Sequence, residues 1–309
     1  MEKIPFALGY PFVVRIVIPG VVGVFSILPV ISNLTGVDFF QFKIIKEHSY
    51  ILVPASLLYG FIVFIMDSLI YFIYEGRFCC LYFPKLFKLL VNIQKRRVKK
   101  LQREVISEKD AARNAEIMSK LKGYPYRERK YTADYPTILG NILINAERYP
   151  LERYGMETTF YWPRLWLALD KETRKEIDLQ ASTLDGLLYT SFVTLVSAMA
   201  YLCYFAGLIV GKIPQIPALF TIKREIFGTS PLVSIFFSLL LLSYLIYRAA
   251  IPFAELKAEY FKTIFDIYRK KISKLTEIAE VEPETWKKTW KCLQYGKKFC
   301  DKSRSFTKK

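Results

Sequence analysis

Four apolar blocks, each long enough to cross a bilayer, constrain this chain more than any other feature. They run over roughly Phe12–Ile31, Tyr50–Tyr74, Leu187–Gly211 and Leu232–Phe253. A helix rises about 1.5 Å per residue, so about 20 apolar residues cross a hydrocarbon core. The second and third blocks are long enough to cross with some tilt. The first begins eleven residues in and contains Pro19 and Pro29. It lacks a short apolar core with a small-residue cleavage site, so it is expected to be a retained span. No strand-rich section separates the blocks. The expected fold class is all-α: a polytopic membrane protein with four transmembrane helices. Its helical cytoplasmic region would comprise the insert between spans two and three plus the C-terminal tail. The parts are a transmembrane hairpin at 1–76, the insert at 77–184, a second hairpin at 185–253 and C-terminal helices at 254–309.

Charge orients the layout. Of 45 basic residues, 22 lie in Glu75–Asp185 and 16 in Arg248–Lys309. The positive-inside rule puts both regions, and with four spans both termini, in the cytoplasm of a cell-membrane protein. The net charge of +17 is what basic residues beside spans produce, and they attract anionic headgroups of membrane lipid. Nucleic acid is therefore not an expected partner. Asn and Gln together number 11, while Lys, Glu, Ile and Tyr are plentiful. That balance points to a thermophilic, archaeal-type source.

Catalytic chemistry finds little material. There is one histidine, His48, and the five cysteines form neither a disulfide framework nor a zinc spacing. No phosphate loop, dinucleotide fingerprint or hydrolase motif is present, so neither an enzyme nor a cofactor is expected. Cys79-Cys80 reads either as two plain thiols or as an acylation site beside the membrane.

Within the spans, Asp67 is the most informative residue. A carboxylate in hydrocarbon needs a partner or a water-filled path. Two readings stand: a structural pair with Arg15, or an ion path lined by Asp67. Span three carries Ser191, Thr194 and Ser197, and span four Ser234, Ser238 and Ser243. Gly207 and Gly211 form a GxxxG. Small and hydroxyl residues of this kind serve close helix packing or a polar pore lining.

The insert and tail read as helices with punctuation. Pro84 opens a helix whose Lys95, Arg96, Arg97, Lys99, Lys100 and Arg103 form either a solvated face or a contact with lipid headgroups. A second helical stretch stops near Gly123. Pro150 is expected to end a short helix, Gly155 to break the next turn, and Trp162-Pro163 to make a turn before a helix. Asp170 caps the helix feeding span three. After Arg248, residues from Phe253 to Leu275 recur at intervals of three or four, so that helix must bury a face. A last helix near Glu284–Phe299 carries Trp286 and Trp290.

Several fragments occur together: Tyr74-Glu75-Gly76, Tyr135-Pro136-Thr137, Leu139-Gly140-Asn141, Arg153-Tyr154-Gly155, Trp162-Pro163-Arg164-Leu165-Trp166, and Phe265-Asp266-Ile267-Tyr268-Arg269. In these the chain resembles a family of uncharacterised prokaryotic four-span membrane proteins, over about Tyr50 to Lys270. The resemblance implies the same order of parts and no particular reaction. The layout is also similar to that of bestrophin-like anion channels, without their motifs.

The block Tyr135–Trp166 is too short for an independent domain. Its Tyr, Gly, Trp and Arg residues suit a packed helical joint, with Arg164 expected to pair with Asp266. Three functions follow as expectations. One is a homo-oligomeric channel or pore for ions or small solutes, with a cytoplasmic collar. The second is a membrane-anchored scaffold or signalling protein whose cytoplasmic face binds a protein partner. The third is a lipid-handling membrane protein.

Overall fold

The computed structural model describes residues 9–35, 42–127, 130–210 and 229–275. Side chains of 35, 42–49, 208–210, 229, 230 and 270–275 are not among those described. His48, Gly211 and the Trp286/Trp290 helix with Cys292 and Cys300 therefore lie outside the described residues or side chains.

The described chain is helical almost throughout, apart from a two-residue antiparallel pairing of Tyr126–Arg127 with Lys130–Tyr131. It opens with α1 (Tyr10–Phe12), a π-helical segment Val13–Val17, and α2 (Ile18–Thr35). Helix α3 covers Phe42–Ile65 and α4 Asp67–Tyr74. Then come α5 (Arg77–Tyr82), α6 (Pro84–Ser107), α7 (Ala111–Lys122), α8 (Ile138–Tyr154) and α9 (Thr158–Ala168). Two long helices complete the described residues: α10 (Lys171–Val210) and α11 (Thr229–Leu275).

Among the described residues, three helical stretches are long and apolar enough to cross a membrane: Tyr10–Leu34, Lys171–Gly207 and Pro231–Arg269. A fourth span exists if Tyr50–Ile65 and Asp67–Tyr74 are taken together, but they meet at a 62° bend. The uninterrupted second span expected from sequence is thus broken. At the break the Met66 N–H reaches both the Ile62 and Val63 carbonyls, at 3.1 and 3.0 Å. Asp67 then opens a new helix, where its negative charge meets the positive end of the α4 dipole.

The chain divides into two compact units. The first holds the described residues up to Phe72 together with Leu179–Phe253. Small residues bring its helices together: a side chain on Gly20 would strike the Ser56 carbonyl, and one on Gly60 the Ile16 carbonyl. Its core includes Val30, Ala198, Tyr201, Leu232 and Leu239. Helix α10 is its central member, with 56% of its apolar window buried against 17% for α11. Much of the α11 surface in this window is therefore apolar and, among the described residues, uncovered.

The second unit comprises Ile73–Asp178 and the described residues from Ala254. Local chemistry sets its helix ends. Pro84 occupies the first turn of α6, where its missing N–H costs nothing. The Asp110 carboxylate caps α7 by accepting from the Ala112 N–H at 3.0 Å, and the Thr137 hydroxyl caps α8 by accepting from Gly140 at 2.9 Å. Asp170 accepts from the Thr173 N–H at 2.8 Å ahead of α10. Those contacts hold the exposed Asp170 carboxyl down at about 2. Gly155 ends α8 with a φ of 68°.

Two expected stops are corrected. Pro150 does not end its helix; α8 runs on to Tyr154, and the Pro150 carbonyl is used by the Met156 N–H at 3.1 Å. Trp162-Pro163 is no pre-helix turn, because Pro163 lies inside α9. The carbonyl that proline leaves unbonded, four residues back, belongs to solvent-exposed Thr159 in the first turn, so its loss of a donor is not a buried one.

Candidate functional site

In the first unit, the sequence Asp67-Ser68-Leu69-Ile70-Tyr71 on α4 and Asp185-Gly186-Leu187-Leu188-Tyr189 on α10 share one pattern, Asp-x-Leu-x-Tyr. Residues four apart stand on one helical face. Each segment offers a carboxylate and, one turn on, a phenol. The two helices exchange them. The Tyr71 hydroxyl donates to Asp185 Oδ1 at 2.6 Å, and the Tyr189 hydroxyl donates to Asp67 Oδ1 at 2.7 Å. Tyr189 and Asp185 are buried and Asp67 is half-buried.

Arg15 distinguishes the two acids. Its Nε and Nη2 lie 2.9 and 2.7 Å from Asp185 Oδ2. The expected Arg15–Asp67 pair is therefore not formed; the guanidinium takes Asp185. The side chain reaches from the π-helical segment, whose extra residue per turn re-aims it. Among the described residues, Tyr189 is the single hydrogen-bond donor to the Asp67 carboxylate. Among the described residues, one arginine thus faces two aspartates, and the acid with no ion-pair partner sits at the break between α3 and α4.

Sequence reasoning singled out Arg15 and Asp67 but missed Asp185, Tyr71 and Tyr189. The signal was available in the repeated Asp-x-Leu-x-Tyr pattern. Asp185 fell at the edge of an apolar block, where a carboxylate reads as a boundary residue.

The span-three hydroxyls are buried within the unit. Ser191 donates to the Ser243 carbonyl at 2.9 Å and Ser243 to the Ser191 carbonyl at 2.8 Å, tying α10 to α11. Thr194 bonds back to the Thr190 and Ser191 carbonyls of its own helix. The Ser197 hydroxyl is buried with no hydrogen-bond partner in the structure. In the single chain, the Ser191 and Thr194 hydroxyls bond to backbone carbonyls of α10 and α11.

The second unit gathers the expected joint residues into two groups. The first centres on Asn141, which is fully buried. Its Oδ1 accepts from the Asp134 and Tyr135 N–H groups at 2.8 and 3.1 Å. Its Nδ2 donates to the Tyr135 and Thr137 carbonyls at 2.8 and 2.6 Å. One side chain therefore fixes the entry to α8. Gly140 is required beside it, because a Cβ there would collide with the Glu75 carbonyl. Gly76, at φ 82°, packs on Pro136. The Tyr-Glu-Gly and Tyr-Pro-Thr…Leu-Gly-Asn fragments thus form one contact.

Arg77 bridges Glu75 and, at 3.8 Å, Glu147, and its guanidinium stands 5.8 Å from the Tyr135 ring centre. Burial pushes the Glu75 and Glu147 carboxyls up, against the pull of Arg77.

The second group centres on Asp266. Tyr149 donates to both its oxygens at 2.9 and 3.0 Å, and Tyr154 to Oδ1 at 2.6 Å. Burial and the Asp266 bond raise the Tyr149 phenol. Arg269 stacks 4.5 Å from the Tyr154 ring centre and donates to the Asp266 backbone carbonyl. Trp162 packs on Phe261 at 4.6 Å and on Trp166 at 5.8 Å between ring centres. The Arg164–Asp266 pair is not formed. Arg164 lies 3.6 Å over the Phe160 ring and donates to the Phe160 carbonyl at 2.6 Å. Two phenols already fill the Asp266 oxygens, and Arg164 points outward from α9. Alongside, a cleft of about 570 Å³ is lined by Arg77, Glu147, Arg148, Thr158, Trp162 and Phe261, among others.

No family model, no curated protein and no solved structure matches this chain. Among the described residues, no group of three or more metal-ligating side chains occurs either. Any functional reading therefore rests on the two carboxylate–tyrosine clusters and the cleft.

Proposed function

We propose that this protein is a homo-oligomeric membrane channel or pore for ions or small solutes. The Asp67–Tyr189 and Asp185–Tyr71–Arg15 cross-link would stand in or beside its path, with the helical second unit and both termini cytoplasmic. The observation that carries this reading is the break at Met66. A helix interrupted inside an apolar stretch persists only where protein or water satisfies the freed backbone. Here the interruption delivers a carboxylate, Asp67, that lacks the cation given to Asp185. The apolar outer face of α11 supplies surface for lipid or a second copy.

The test is flux in proteoliposomes. Wild-type protein is expected to pass ions, and Asp67→Asn and Tyr189→Phe to change the rate by about tenfold, the effect of roughly 1.4 kcal/mol on a barrier. Absence of wild-type flux under every gradient and voltage tried overturns the proposal.

The cleft beside Trp162 favours a second reading, a membrane-anchored scaffold. Its aromatic wall between arginines and glutamates suits a peptide segment of a protein partner. A stable partner captured by cross-linking in cells, and lost in Trp162→Ala without loss of folding, would establish it.

A further inference from the structure

Helix α6 is amphipathic twice over. One face is packed within the second unit: Val91 and Val98 are buried, Gln94 donates to the Pro136 carbonyl at 3.1 Å, and Phe87 meets the Tyr135 ring edge-on. Leu86, Leu89 and Ile93 recur at spacings of three and four on another face, and are 43%, 58% and 51% exposed. Leu81, Tyr82 and Phe83, just before α6, are 66%, 60% and 53% exposed.

Six large side chains within thirteen residues are left uncovered by the fold. A patch of this kind marks an interaction site. Its neighbours name the occupant. Along α6 stand eight basic residues, Lys85 to Arg103, against one acid, Glu104. At 100° per residue, Lys100 continues the Leu86–Leu89–Ile93 stripe, with Arg96 and Arg97 on its two sides. The patch begins seven residues beyond Tyr74, where the apolar stretch ends. Between them the path is interrupted at Gly76, with φ 82°, and again at Phe83, with φ −134° and ψ 64°. Those interruptions free α5 and α6 from continuing along the axis of α4.

We propose that Leu81–Ile93 lies on the surface of the membrane that its own spans cross. The six apolar side chains would enter the interfacial layer and the α6 lysines and arginines would hold anionic headgroups. Apolar burial and lipid charge are both needed for a surface helix of this type, and each nearby basic residue adds attraction to an anionic leaflet. The inference is independent of conduction, since it concerns how the second unit is held at the bilayer and not what crosses it.

Site-directed spin labelling of the full chain tests it. With the five cysteines replaced, labels are placed at Leu89→Cys and Ile93→Cys, with exposed Ala112→Cys on α7 as the aqueous control. Each variant is reconstituted in nanodiscs of phosphatidylcholine alone or with phosphatidylglycerol. In the anionic discs, the ratio of oxygen to water-soluble nickel accessibility at positions 89 and 93 is expected to exceed that at 112 several-fold. Changing Lys95, Arg96, Arg97, Lys99 and Lys100 together to Gln should lower that ratio toward the value in phosphatidylcholine.

Three results overturn the proposal. The first is position 89 as open to the nickel reagent as position 112 in both lipids. The second is equal lipid exposure in both lipids, which removes the headgroup requirement. The third is spin–spin broadening at position 89 that disappears on dilution with unlabelled protein, which assigns the patch to a second copy. Flux measured on the same samples reports separately on conduction.

Discussion

In the first unit, Asp67 and Asp185 each accept one tyrosine hydroxyl from the opposite helix, and Arg15 neutralises Asp185. In the second, Asp266 accepts two tyrosine hydroxyls and no side-chain cation ion-pairs with it among the described residues. The donors are alike and the consequences differ. Between apolar helices, removing one member of a charge pair strands the other in a medium of low polarity. In the helical joint, a freed phenol or arginine has water within reach, so the same deletion costs one or two hydrogen bonds. The cluster between apolar helices is therefore the less forgiving of the two, although both are built from Asp and Tyr.

The largest effect should come from Asp185→Ala. It leaves Arg15 without its carboxylate, and a loss of about 3–5 kcal/mol is expected. This is read as the fall in thermal midpoint of the detergent-solubilised protein. Pairing it with Arg15→Met should restore most of the loss. If the single change costs under about 1 kcal/mol, the contrast between the clusters fails.

Asp266→Ala comes next. The Tyr149 and Tyr154 hydroxyls lose a charged acceptor, at about 1.5–3 kcal/mol for bonds of this class. Hydrogen exchange should rise at the end of α8 and in α11 near residue 266. Exchange spread evenly over both units would argue against a local joint.

Gly155→Ala sharpens the comparison within the second unit. A Cβ at φ 68° costs about 1–2 kcal/mol. The loss should be local, visible as earlier protease cleavage between α8 and α9, and flux should be unchanged.

The smallest effect is on pH dependence. Burial raises the Glu75 and Glu147 carboxyls above the ordinary 4.5. A raised carboxyl favours the folded state while protonated, so its contribution is full below about 4.5 and is lost as pH rises through the folded value. Glu75→Gln with Glu147→Gln should flatten that slope in a denaturation series between roughly pH 4 and 7. An unchanged slope would mean that other groups set it.

Much of the second unit was legible because its signals are local. Asp170 and Gly155 act within a turn of their own positions: Asp170 caps its helix as expected, and Gly155, expected to break the turn after Pro150, ends α8 itself. Tyr-Glu-Gly and Leu-Gly-Asn meet in one contact, whereas in Trp-Pro-Arg-Leu-Trp the two tryptophans and Leu165 are packed and Pro163 and Arg164 are exposed. Proline misled twice: Pro150 and Pro163 read as stops, yet α8 and α9 run through them. Whether a helix tolerates a lost donor depends on what stands near the freed carbonyl.

By itself, the sequence determined that the chain is helical, that it carries four long apolar blocks, and where charge cannot be left bare. Hydrophobic length and local capping fix those properties without reference to partners. Only the tertiary structure decided that Arg15 takes Asp185, that each tyrosine crosses to the other helix, and that the second span breaks beside Asp67. Which turn of one helix meets which turn of another depends on packing and on a single π-helical residue's offset. No proline or glycine at Met66 announces the break. The pairing of these charges is thus a property of the assembled helices, set by the requirement that each carboxylate in an apolar unit meet a donor.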